Sequence, residues 1–235
     1  MNDVPLVPLA LAPEVFDRHH DRQPGGKINV DHAVSIASAA ANESRDLARL
    51  AISLHHAVLS DETMPLSARL TRAKSAAGPL LTKAATRLEA ALTKVASELA
   101  QSRRETAAPL CADPGMAAEL RSVLRSATPE RRGELIAKAI ADGDDTLTAA
   151  LFNGHAVASG MAADELEARR HIWRKKNHPA AAARQERLAA CERDLKVAGN
   201  ALVEFTTKLF HGATKLEQAA QAANEAISQA GRVAQ

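Results

Sequence analysis

Leucine recurs every seventh residue through the C-terminal part of the chain, at Leu188, Leu195, Leu202, Leu209 and Leu216, and the phase continues as Ala223 and Ala230. The intervening positions of the same stripe are Cys191, Ala198, Phe205, Gly212, Ala219 and Ala226. A 3-4 apolar spacing sustained over about six heptads is the pattern of a coiled-coil or bundle seam. One line of the seam is large and the other mostly small, which lets helix axes approach closely. Leu188, Leu195, Leu202, Phe205, Leu209 and Leu216 are therefore the expected helix-packing interface. Pro179 suits the start of this element, so residues 179–235 are expected to form one long helix. From Val197 to Gly231 the only charges are Glu204, Lys208, Lys215, Glu217 and Glu225. So weakly charged an outer face predicts protein on both sides of the helix. The seam fits pairing within one chain and pairing between chains equally well.

Composition agrees with an all-α fold. The chain is Ala-rich, with no Tyr, one Trp and four Phe among 235 residues. Ala is the best helix former, whereas sheets favour β-branched and aromatic residues. No run shows the period-2 alternation of a half-buried strand.

Residues 29–110 read as a long antiparallel helical hairpin. Its first helix covers about residues 30–59, capped near Asn29 or Asp31. The second covers about 64–107, with the stripe Leu66, Leu70, Ala73, Ala77, Leu80, Ala84, Leu88, Ala91, Val95 and Leu99. Gly78-Pro79 predicts a kink or break in it. Residues 111–178 read as an inserted subdomain of short helices with dense punctuation. Asp113-Pro114, Thr128-Pro129 and Asp144 or Asp145 supply helix starts, and Asp142-Gly143 and Asn153-Gly154 supply stops. Met116, Leu120, Val123 and Leu124 are expected to face inward in the first of these helices, and Leu166, Ile172 and Trp173 belong to the last. Residues 1–28 read as an extended N-terminal arm, since Pro5, Pro8, Pro13 and Pro24 oppose a long helix. Its apolar residues fit either a loose tail or an arm docked on a neighbouring subunit.

Few residues suggest chemistry. His19-His20 do not face the same way on a helix or strand, and the expected reading is solvated loop polarity. His55-His56 sit where cations complement a helix C-terminus. Asp142, Asp144 and Asp145 lack the rest of a calcium loop. Gly25-Gly26-Lys27 lacks the frame of a phosphate loop. Cys111 and Cys191 have no metal-ligand spacing and imply no disulfide framework. No cofactor is implied, and an enzyme is not the expected function. Trp173 suits a small core or an interface, and there are too few aromatic residues for a base-stacking platform.

The strongest basic cluster is Arg169, Arg170, Arg174, Lys175 and Lys176, a candidate phosphate contact. The alternative reading is a set of helix C-terminal cations offsetting the dipole. A second basic face comprises Arg69, Arg72, Lys74, Lys83 and Arg87. The whole chain carries a formal charge of only +2, which argues against a globally basic nucleic-acid binder. The N-terminus lacks the basic region of a signal peptide, and no window is apolar enough to span a membrane. A soluble protein made in the cytoplasm is expected.

The stretch from Glu134 to Asn153, with Ser159-Gly160-Met161 and His178-Pro179 downstream, resembles uncharacterised Ala-rich helical proteins of bacteriophage and prophage structural gene clusters. The resemblance covers about 60 residues, rests on helix punctuation and implies a virion-associated role without assigning any functional residue.

Three functions follow as expectations. The first is a structural or assembly protein acting through helix-helix contacts in a homo-oligomer, with other structural proteins as further partners. The second is a nucleic-acid-associated accessory protein using the basic cluster. The third is an amphipathic helical protein coating a surface, which the narrow Leu/Ala stripe and scarce cations fit poorly.

Overall fold

A computed structural model of the chain describes residues 5–233, and side chains as far as Ala226. Among the described residues it is an all-α fold of nine α-helices, with one pair of two-residue strands. The chain divides into two compact units. One runs to Ser97 and resumes at Leu188, and the other is Glu98–Arg187.

The first unit is built on α2 (His32–Leu59), the first part of α3 (Leu66–Glu105), and the part of α8 (Pro179–Leu209) from Leu188 on. Helix α2 starts at Asp31, whose side chain accepts from the Ala33 amide at 3.0 Å. Its buried face is almost all small: Ala33, Ala37, Ala41, Ala48 and Ala51, with Ser44 donating to the Ala84 carbonyl of α3 at 3.1 Å. Side chains this small bring the helices close, and the larger residues of α3 and α8 fill the space between them. Glu43 of α2 pairs with Lys83 and Arg87 of α3, and α3 starts beside the end of α2, where Arg69 donates to the Leu59 carbonyl. The two helices are thus an antiparallel hairpin. From Leu188 on, α8 runs in the direction of α2, since Cys191 lies near Asp31 at the start of α2 and Phe210, just past α8, sits beside His55 near its end.

Several elements differ from the sequence expectation. Residues 1–28 are not an extended arm along their described part. Residues Leu9–Leu11 form a 3-10 turn, Pro13–Asp17 form α1, and β1 (Asp21–Arg22) pairs antiparallel with β2 (Ile28–Asn29). Leu11 and Phe16 are fully buried, and α1 packs on α2 of the same chain. The prolines prevent a long helix, yet the apolar residues between them find a core at the end of the bundle. Helix α3 is continuous through Pro79, so the Gly78-Pro79 break does not occur. The buried stripe of α3 takes Leu81 rather than Leu80, and Leu66 is exposed. The C-terminal helix is not one element, because Phe210 separates α8 from α9 (His211–Val233). Hydrogen bonds from the Phe210 amide to Thr206 and from the Thr214 amide to Phe210 carry the helical pattern across this joint.

The second unit contains α4 (Pro114–Ser126), α5 (Pro129–Asp142), α6 (Asp145–Phe152) and α7 (Ala163–Asn177). Asp113, Thr128 and Asp144 cap α4, α5 and α6 with their side chains, and Gly143 closes α5 in the left-handed region at φ 74°. The core gathers Leu124, Ile136, Ile140, Leu151, Phe152, Leu166 and Trp173. Met116, Val123 and Ile172 are exposed. The inward residues of α4 are Ala117 and Leu124, because α4 presents only a narrow stripe to α6.

Cations, of which Arg132 is the buried one, tie this unit together. Arg132 is buried with no carboxylate partner among the described residues, and donates to the Leu124 carbonyl at 2.8 Å, the Ala127 carbonyl at 3.1 Å, and that of Gly160. Arg121 donates to the Ala150 carbonyl at 2.9 Å and Arg170 to that of Phe152 at 3.1 Å. Lys176 reaches the Ile140 and Ala141 carbonyls. The last turns of α4, α5 and α6 thus each receive a cation from a different helix. Those turns carry the unsatisfied carbonyls and the negative pole of the helix dipole.

Candidate functional site

The expected interface residues separate into two groups. Leu188, Leu195, Leu202, Phe205 and Leu209 are buried, together with Cys191 and Ala198. This part of the seam is thus covered by the chain itself. Burial of Cys191, with Asp194 and Asp31 adding negative charge nearby, pushes its thiol up to about 12. Asp194, one turn on, accepts from Arg18 at 2.7 Å and meets His19 Nε2 at 2.6 Å. Partial burial raises the Asp194 carboxyl. The hydrogen bonds and charges of Arg18 and His19 outweigh that and hold it below the usual range. His19 is therefore a buried clasp for the N-terminal segment rather than a solvated loop residue. His20 accepts from the Asp31 amide at 3.1 Å.

Leu216 belongs to the other group. It is 36% exposed, and every residue from Lys215 to Ala226 is exposed. Geometry explains the change. Leu70 of α3 lies where a side chain on Gly212 would meet it, and Lys74 pairs with Glu217. Helix α3 begins at Leu66, so α9 soon runs past the end of its neighbour. The seam continues there as Ala219, Ala223 and Ala226, and no described residue of the chain covers it.

At the joint, Phe210 packs beside His55 with ring centroids 6.1 Å apart. Burial of His55, helped by the charge of His56, lowers its affinity for a proton. Phe210 also lines a mostly apolar groove between α3 and α8, with Pro79, Leu81 and Ala85 on one wall and Leu202 and Val203 on the other.

The basic cluster is largely engaged within the second unit. Arg174 is buried and donates to Glu167 at 2.8 Å. Arg170 and Lys176 cap helix ends as described, Lys175 pairs with Glu186 at 2.6 Å, and Arg169 stands 4.0 Å from Glu165. The run of cations on α7 is thus mainly internal, where the sequence left phosphate contact open. The second basic face is engaged likewise: Arg69 on a carbonyl, Arg72 with Asp61, Lys74 with Glu217, and Lys83 and Arg87 with Glu43. The sequence signal for these roles was weak, since charge is visible in a sequence and its partner is not. Among the described residues, no three His, Cys, Asp or Glu side chains gather where they could hold a metal ion. No described helix is long and apolar enough to cross a membrane.

No family model, no curated protein and no solved structure matches the chain.

Proposed function

We propose that the protein is a non-enzymatic helical assembly protein in which α9 of one copy pairs with α9 of a second copy. The observation that supports this reading is the fate of the seam, buried on its own chain as far as Leu209 and exposed from Leu216 onward. Most helical stability in proteins comes from packing an amphipathic face rather than from helix propensity. A projecting helix with Leu216, Ala219, Ala223 and Ala226 on one face gains most by laying that face against another helix. Its only charges in the described side chains are Lys215, Glu217 and Glu225, and Glu217 is already paired, so little charge needs desolvation. The groove lined by Phe210 adjoins the start of α9, so a partner helix could continue into it. The resemblance to phage structural proteins supports reading such an assembly as part of a virion. The nucleic-acid alternative has less support, because most of its cations already hold carbonyls and carboxylates of the chain.

Deleting residues 215–235 tests the reading. The truncated chain should keep the circular dichroism of the remaining helices and lose the self-association of the full chain. The same number of copies per particle for the two chains would remove the role given to α9.

A further inference from the structure

A cleft in the second unit has a composition that packing alone does not require. It encloses about 320 Å³ and is lined by Arg103, Arg104, Arg170 and Arg174, with the rings of Phe152 and Trp173 and a single carboxylate, Glu167. Four guanidinium groups thus face one acid. Glu167 is ionised. Partial burial raises its carboxyl, but the Arg174 hydrogen bond and the charges of Arg174, Arg103 and Arg170 together hold it below the usual range. One carboxylate leaves an excess of positive charge in the cleft.

The four arginines are not equally occupied. Arg170 is held by the Phe152 carbonyl and by Glu167. Arg174 is 7% exposed, and it spends Nη1 on Glu167 while its buried Nε finds no acceptor among the described residues. A buried donor left unpaired is costly, and an incoming acceptor would relieve it. Arg103 and Arg104 are exposed on the last turn of α3, and Glu105 beside them is taken by Gln101 at 2.8 Å. Neither side chain donates a hydrogen bond to the protein among the described residues. Planar guanidinium forks match the oxygens of a phosphate.

We propose that this cleft binds a phosphate monoester, with Arg103 and Arg104 gripping the dianion and Arg174 as the buried cation behind them. The chemistry is that of a terminal phosphate, carried by a small molecule or by a nucleic-acid strand end. An internal phosphodiester has one charge and sits on a convex ridge. A recessed cleft with several guanidinium groups favours the doubly charged monoester. Its volume lies at the low end of ligand pockets, which suits a phosphate with a small organic group.

Trp173 is the only tryptophan of the chain and lines the cleft, so its fluorescence reports on occupancy. The test titrates the full chain at low salt with inorganic phosphate and with AMP, read by Trp173 fluorescence and by calorimetry. Saturable binding is expected, weakened at least tenfold in the Arg103→Gln/Arg104→Gln double variant and unchanged in Arg169→Gln, whose residue is outside the cleft. No saturable signal by either method, equal affinity in the double variant, or a change that sodium chloride of equal ionic strength reproduces would overturn the proposal. A 5′-phosphorylated oligonucleotide and its 5′-hydroxyl counterpart separate the sources. If the phosphorylated strand binds no tighter than AMP, the ligand is a free monoester. If it binds tighter and the hydroxyl strand is silent, the site takes strand ends. Equal binding of the two strands overturns the monoester site.

Discussion

Lys176 Nζ lies 2.5 Å from the carbonyl of Ile140 and 2.6 Å from that of Ala141, at the end of a helix it does not belong to. Arg132 does the same for α4 and Arg170 for α6. Three short helices, none of which would be stable alone, are joined by cations that satisfy their orphan carbonyls and oppose their dipoles. This arrangement gives Arg170 and Lys176 of the basic run on α7, and Arg132 of α5, a structural use within the chain.

Removing these cations should cost stability in proportion to burial. Arg132→Met leaves buried carbonyls without donors and should destabilise the protein by about 3 kcal/mol. Lys176→Met, at a more exposed site, should cost about 1 kcal/mol. Urea unfolding followed by circular dichroism measures both. An Arg132→Met protein as stable as the parent would show that the carbonyls are hydrated instead.

Acid should weaken the first unit in two separate steps. His55 has a folded pKa below its ordinary value of 6.5, so the unfolded chain takes up the proton first. Its contribution is intact above pH 6.5 and is lost as pH falls through the lower folded value. The Asp194 carboxyl, ordinarily near 3.8, is also depressed in the fold. Its contribution is intact above that value and is lost only at lower pH. Thermal unfolding across pH should show a decline starting near 6.5 that His55→Phe removes, and a second at strongly acid pH that Asp194→Asn removes. Unchanged pH profiles in both variants would contradict these assignments.

The two cysteines should differ in reactivity. Cys191 is fully buried with a thiol pushed up to about 12, while Cys111 is partly accessible. A thiol reagent at neutral pH should label Cys111 in the folded protein and both residues in denaturant. The thiolate is the reactive form. Prompt labelling of Cys191 in the native protein would mean that α8 opens locally.

The leucine seam was legible because a heptad repeat fixes one face of a helix whatever it packs against. Its partner was not. Nothing in Leu209 and Leu216 says that the first meets its own chain and the second does not, since that depends on where α3 begins. Leu80 and Leu81 show the limit of periodicity. Either fits between Ala77 and Ala84, by spacings of three then four or four then three, and only packing selects Leu81. Asp113, Thr128 and Asp144 were readable as caps because capping is local. The clasp of His19 on Asp194 was not, because 175 residues separate them in the chain. The arginines of the cleft were half legible. Arg170 and Arg174 stood in a visible basic run, whereas Arg103 and Arg104 lie far from it in sequence and reach the same cleft through the fold.

The central claim is that α9 joins copies of the chain. Absolute mass by light scattering, at several protein concentrations and at low and high salt, tests it most directly. A discrete oligomer that persists in high salt is predicted, because the exposed seam is apolar and almost uncharged. A monomer at every concentration would contradict the claim.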